Sequence, residues 1–348
     1  MNTRIYLDWN ATAPLRPDAR AAMIAAMDVL GNPSSVHTEG RAAKSIVERA
    51  RAQITQALGA ASADIIFTSG ATEAAALALA GRDLQSGSVE HDCVTVWTDE
   101  ILSCNAKGQV KVKRPKDAAL QLANSETGVI QDLPDGVALC DFVQAFGKIP
   151  VAFDWLGAEM GLLSAHKLGG PKGVGALVIR QGIEIEAQMR GGGQEMGRRA
   201  GTENLIGIAG FGAAAEAAAR DLDAGLWEVV EIRRNLLEQR LLSEAPETIV
   251  FGKDTKRLPN TSYIGVPGWK GETQVMQMDL AGFAISAGSA CSSGKVKPSK
   301  VLRAMGHNDV TAASAIRISI GPDTTEGDLM KFADAWLLEY NRFTARAA

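Results

Sequence analysis

Ile65-Ile66-Phe67-Thr68-Ser69-Gly70-Ala71-Thr72-Glu73-Ala74-Ala75-Ala76-Leu77-Ala78-Leu79-Ala80 is the stretch on which the fold turns. Its first four residues are β-branched or aromatic and suit a strand, Ser69-Gly70 is a turn, and the alanine-rich remainder suits a helix. A strand that feeds a helix through a glycine leaves the first helical N–H groups unpaired at the strand's end. With the helix dipole and the Thr72 hydroxyl they can hold an anion. An ordinary glycine turn with a capped helix explains the same residues, so both readings stand at this point.

Further along the chain the theme repeats. Short apolar runs at 94–97, 120–123, 137–140, 161–163 and 174–179 are predicted strands, separated by turn residues and helical pieces. That order implies crossover connections and a mostly parallel sheet covered on both faces. Upstream, 17–30 is predicted as a helix with Pro17 in its first turn and Gly31 past its end. A second is predicted over 38–58, where Ala43, Ile46, Val47, Ala50, Ile54 and Ala57 recur at helical spacing before Gly59. After Gly201 two long helices, 203–220 and 226–243, precede shorter strands at 248–251, 261–266 and 315–320 and a last helix over 325–343. The predicted class is therefore α/β, with a large domain over 31–245 and a smaller α+β domain over 246–348, to which the N-terminal segment 1–30 returns.

Composition narrows the function classes. The 348 residues are 46% hydrophobic and 22% charged, with 36 Lys and Arg against 40 Asp and Glu, which excludes a disordered tail, a collagen or a coiled coil. A net charge of −4 gives no electrostatic reason to bind nucleic acid or an anionic membrane. The N-terminus has no apolar signal core and no run of about 18 apolar residues occurs, so a cytoplasmic protein is expected. Cys93, Cys104, Cys140 and Cys291 are widely spaced with no C-x-x-C pair, so neither a zinc site nor a disulfide framework is expected, and no metal.

Three further places carry chemistry. Lys167, in Ser164-Ala165-His166-Lys167, follows an apolar run and precedes Gly169-Gly170-Pro171-Lys172-Gly173, which suits a partly desolvated amine of the kind that forms Schiff bases. A solvated loop lysine is the plainer alternative. Asp141 ends the run 137–140, with Gln144 three residues on, at the sheet edge where ligands gather in parallel sheets; it serves equally as a helix cap. Cys291 lies in Ser286-Ala287-Gly288-Ser289-Ala290-Cys291-Ser292-Ser293-Gly294, without one large apolar side chain to bury it, and Lys295, Lys297 and Lys300 follow. A reactive thiol on a mobile loop is expected there.

In sequence order, Gly31-Asn32-Pro33-Ser34-Ser35, Thr68-Ser69-Gly70-Ala71-Thr72-Glu73, Glu90-His91, Asp141 with Gln144 and Gly147-Lys148, His166-Lys167 with Gly170-Pro171-Lys172-Gly173, Gly191-Gly192-Gly193-Gln194-Glu195 with Arg199-Ala200-Gly201-Thr202, Ser289-Ala290-Cys291 and Ile316-Arg317 together resemble one family. It is the NifS/IscS-like branch of the cysteine desulfurases, within the class V aminotransferase family of pyridoxal-phosphate-dependent enzymes of fold type I. The resemblance implies a seven-stranded, mostly parallel sheet between helices. It implies pyridoxal 5'-phosphate as cofactor, held covalently by Lys167, with His91 stacked on its ring, Asp141 at the ring nitrogen, and Gln144 and Asn124 near the phenolic oxygen. The phosphate would meet Ala71, Thr72, Ser164, His166 and, from the partner subunit of a homodimer with shared sites, a Thr202. Arg317 would clamp the carboxylate of L-cysteine, with Asn32 also on the substrate, and Cys291 would take its sulfur as a persulfide, releasing alanine. A sulfur-acceptor or scaffold protein for iron–sulfur cluster assembly or related biosynthesis would be the partner. A selenocysteine lyase, another enzyme of the same fold, or a non-catalytic assembly protein are the alternatives the resemblance leaves.

Overall fold

The structure is a computed structural model that describes residues 4–288 and 298–347. Eight strands precede the long helices: β1 (Ile5–Tyr6), β2 (Ala63–Thr68), β3 (Gln85–Gly87), β4 (Asp99–Leu102), β5 (Ala119–Gln121), β6 (Leu139–Asp141), β7 (Met160–Ser164) and β8 (Gly175–Arg180). Five follow them: β9 (Ile249–Val250), β10 (Thr261–Gly265), β11 (Phe283–Ala284), β12 (Ser286–Ala287) and β13 (Ala315–Ser319).

The central sheet has the order β2-β8-β7-β6-β5. Strands β5, β6 and β7 pair in parallel, and β8 runs against both β7 and β2, so β2 shares the direction of the other three. The parallel ribbon β3–β4 continues the sheet through a parallel bridge from Gln85 to Ala118, so the five strands and the two of the ribbon make seven with β8 alone reversed. The mostly parallel α/β fold expected from the sequence is thus observed.

Period-two alternation distributes the strand residues between two apolar layers. Ile65, Phe67, Ala176 and Val178 face the helices Thr38–Leu58 and Leu205–Asp223, where they meet Ile54, Leu58 and Phe211. Ile66, Leu162, Leu177 and Ile179 face the other way, onto Ala74, Leu77 and Ala78 of the helix Ala71–Leu79. Because both faces are covered, β7 is buried along its length. The helix Thr38–Leu58 stops where predicted, at Gly59, whose φ of +61° is left-handed.

One predicted strand is a helix. Residues 94–97 do not pair; Asp92–Thr95 forms one short helical turn, capped by His91, whose Nδ1 accepts the Cys93 N–H at 3.1 Å. Cys93 and Val94 enter the core beside Ala74 and Leu77, whereas Val96 and Trp97 are exposed, so a four-residue apolar run was too short to set the period. The helix predicted over 17–30 spans Pro17–Met27.

A second core lies between the antiparallel sheet β12-β13-β10-β9, the parallel pair β1–β11 and the helices Leu226–Glu244, Gly271–Leu280 and Glu326–Ala347. Trp269, Phe283, Ile316 and Trp336 are at its centre. The first thirty residues divide: Leu7 belongs to this core, while the helix Pro17–Met27 packs on Leu205–Asp223. The helix Leu226–Glu244, assigned from sequence to the larger domain, contributes Trp227, Val230, Leu237 and Leu241 here. No helix among the described residues is long and apolar enough to cross a membrane.

Candidate active site

The carboxyl ends of β6 and β7, the start of the helix Ala71–Leu79, the segment after β1 and one face of β13 enclose a cavity of about 920 Å³. Lys167 reaches it from the turn that follows β7. Gly169 and Gly173, with φ of +88° and +77°, reverse the chain behind it, and Gly170 comes so near that a Cβ there would lie 2.8 Å from that of Ala165. The Lys167 Nζ donates to the carbonyls of Asn10 at 2.7 Å and Ala11 at 2.9 Å. The neighbouring His166 has Nδ1 3.2 Å from the Thr12 hydroxyl. Burial, then the charges of Lys167, Lys172 and Lys148, push its pKa down to about 4, so the imidazole is neutral at pH 7.

Asp141 closes β6, buried, its Oδ1 accepting the Val143 N–H at 2.8 Å. Burial raises its pKa, while that N–H and the charges of His91 and Lys167 oppose the rise. Glu90, one residue before His91, is buried against the same wall. Its Oε1 accepts the Gln121 N–H at 2.9 Å and its Oε2 is buried with no hydrogen-bond partner among the described residues. Burial, reinforced by Asp141, holds this carboxyl well above its usual range and so favours its neutral form.

The far end of the cavity is a cradle for an anion. The helix Ala71–Leu79 makes its first helical hydrogen bond from the Ala74 N–H to the Gly70 carbonyl, so the N–H groups before it face the end where Ser69, Thr72, Ser164 and His166 also lie. Glu73 steadies this turn by accepting the Ser69 N–H at 2.7 Å, and Arg199 grips Glu73 at 2.8 and 3.3 Å.

Arg317 enters from β13, where Nη2 donates to Asp8 Oδ1 at 2.8 Å and Nη1 to the Ser125 carbonyl at 3.0 Å. Its Nε is buried with no hydrogen-bond partner among the described residues. Lys167, His91, Ala71, Thr72, Asp141, Gln144, Ser164, His166 and Arg317 thus line one cavity. Other candidates do not reach it. Asn124 is turned away: its Oδ1 accepts the N–H groups of Glu126 and Thr127 and its Nδ2 donates to the Val89 carbonyl. Asn32 is exposed and holds the Ser34 N–H, and Thr202 is exposed outside the cavity. Cys291 lies outside the described residues.

Two residues missed in the sequence organise the site. Asn10 uses its backbone carbonyl for Lys167, its Oδ1 for Lys148 and Asn260, and its Nδ2 for the Ser125 carbonyl and the Thr261 hydroxyl. Glu126 is buried beneath Gly288: its Oε2 accepts the hydroxyls of Tyr263 and Ser299, and a Cβ at Gly288 would lie 2.0 Å from the Tyr263 oxygen. Gly288 therefore serves close approach. Partners more than a hundred residues away leave no local pattern to read.

Fold and site define an α/β enzyme whose half-buried amine and buried carboxyl share a pocket with an anion cradle. The chain belongs to the aminotransferase class-V family, which it matches over residues 5–106 and 104–332. Within it, the chain is similar to a protein named cysteine desulfurase from Cereibacter sphaeroides, 37% identical over 94% of this chain and 93% of that one. It is also similar to the cysteine desulfurase IscS of Dictyoglomus turgidum, 35% identical over 94% and 92%. The X-ray structure of a NifS-like protein from Rickettsia africae ESF-5 superposes with a TM-score of 0.89, at 31% identity, over 97% of this chain and 99% of that one.

Proposed function

We propose that this protein is a pyridoxal-phosphate-dependent cysteine desulfurase that converts L-cysteine to L-alanine and retains the sulfur as a persulfide on Cys291. The observation that carries the reading is the convergence of Lys167, Asp141 and Arg317 on a cavity with an anion cradle at one end. The donor set suits the cofactor. Helix N–H groups with Ser164, Thr72 and a neutral His166 suit a phosphate, a buried carboxyl suits a protonated ring nitrogen, and the Lys167 amine suits an aldehyde. Bound there, the group supplies an electron sink for the substrate's α-carbon.

The chain's own residues do the rest. Burial raises the pKa of Asp141, and a ring N–H facing it would favour its ionised form. Gln144 would donate to the phenolic oxygen of the group and His91 would cover one face of its ring. Arg317 meets the substrate carboxylate with its planar fork, and its Nε, without a partner among the described residues, is a further donor. Lys167 takes the proton from the α-carbon and delivers protons as alanine forms. The Cys291 thiolate attacks the substrate sulfur as the Cβ–S bond breaks; the bonding pair stays with the carbon, which is protonated to the methyl group of alanine. A Thr202 supplied by the partner subunit of a homodimer completes the phosphate site, and an acceptor protein receives the persulfide sulfur.

Incubation with L-cysteine and a thiol reductant tests this: alanine and sulfide should appear in equal amounts. Cys291→Ala activity equal to wild type would refute the assigned nucleophile, and alanine without sulfide would refute the reaction.

A further inference from the structure

Lys148 has no part in the reaction just described, yet its side chain is 1% exposed, behind two residues of the cavity wall. Packing does not account for the amine, since a methionine fills a similar volume without desolvating a polar group. The hydrogen bonds do. Nζ donates to Oε1 of Gln144 at 2.7 Å and to Oδ1 of Asn10 at 2.9 Å. Both acceptors are neutral amide oxygens, and burial together with the charges of Lys167 and Arg317 favours the uncharged amine, which has two N–H donors for these two acceptors.

An amine nitrogen here donates and a backbone carbonyl only accepts, so the Gln144 amide has one arrangement: Oε1 toward Lys148 and Nε2 toward the Asn10 carbonyl, at 3.0 Å. That carbonyl also accepts Lys167 Nζ at 2.7 Å. The nitrogen end of Gln144 and the Lys167 amine therefore converge on one oxygen at the cavity wall. We infer that Lys148 is a positioning residue: by holding Oε1 of Gln144 it turns the donor end of that amide toward the cavity, to meet an electron-rich ring oxygen of the bound cofactor. Without Lys148 the amide is held in that sense only by the Asn10 carbonyl, which Lys167 also occupies, and its donor end is aimed less firmly at that atom. The inference rests on the cofactor reading above.

The test is a double-mutant cycle on the holoprotein, with the release of pyridoxal 5'-phosphate followed by the loss of its bound visible absorbance. Lys148→Met and Gln144→Met should each speed release about fivefold, the effect of losing one hydrogen bond. The double variant should be no faster than either, because both remove the same contact. Far-UV circular dichroism checks that each variant is folded. Should Met at 148 prevent folding, Lys148→Gln keeps a polar group there but is one bond too short for Oε1, and should show the same fivefold effect. A folded Lys148 variant releasing at the wild-type rate, or a double variant faster by the product of the two singles, overturns the inference alone. Wild-type protein that takes up no cofactor overturns the cofactor reading as well.

Discussion

The Nζ of Lys167 and the backbone carbonyl of Asn10 stand 2.7 Å apart, joining the turn after the central strand β7 to the segment that follows β1. Asn10 is held by its side chain, so replacing it acts on both fold and site. Asn10→Ala takes one of two acceptors from the Lys148 amine and one of two from the Asn260 amide and removes the Asn10 bonds to the Ser125 carbonyl and the Thr261 hydroxyl, and roughly 2–4 kcal/mol of stability should be lost. Urea unfolding measures it; a loss under about 1 kcal/mol would mean that these groups find other partners.

Lys167 and Cys291 should fail differently. Lys167→Ala should show no amine-linked visible band with pyridoxal 5'-phosphate and lose at least about a thousandfold in alanine formation. Cys291→Ala should keep the band and its response to L-cysteine while losing sulfide production, so spectra and product assays together separate the two roles.

Burial favours the neutral form of Glu90 in the fold, so its neutral isostere should be tolerated. Burial raises its pKa well above 4.5, which means the folded state keeps a proton that the unfolded state releases. Its contribution to stability is therefore complete below pH 4.5 and declines as pH rises toward the folded value. Glu90→Gln should remove that part of the decline, leaving a flatter profile of melting temperature against pH above 4.5; an unchanged slope would show that Glu90 ionises freely.

His166 has the opposite signature. Its pKa falls from 6.5 to about 4 on folding, so the unfolded chain takes up a proton first as the pH drops. Stability should decline between pH 6.5 and pH 4 and level off below. In His166→Gln, denaturation midpoints across this range should lack that component; the variant can retain a contact with Thr12.

Asp8 holds Arg317 in place at 2.8 Å, both side chains largely buried. Asp8→Asn should leave the guanidinium less constrained, raising KM for L-cysteine about tenfold with a smaller effect on kcat, because the carboxylate contact is made in the ground state as well as the transition state. Steady-state kinetics decide; a fall confined to kcat would place Asp8 in the chemical step.

The sequence by itself determined the strand, glycine turn and helix at 65–80, the Gly59 stop, the alternation of strands with helices, and the location of Lys167 and Asp141 at strand ends. These follow from short-range propensity, period and turn chemistry, which are written within a few residues of each other. Even there one reading failed, at 94–97, because a helix cap on His91 outweighed four apolar residues. Tertiary structure alone decided that β8 runs against its neighbours, that the segment after β1 forms one wall of the cavity, and that Asn124 faces its own turn. It also decided the direction in which buried groups shift, since the rise at Glu90 and the fall at Lys148 come first from desolvation by residues distant in the chain. Burial and long-range hydrogen bonding are properties of the packed molecule, and no local pattern in Asn10 or Lys148 announces them.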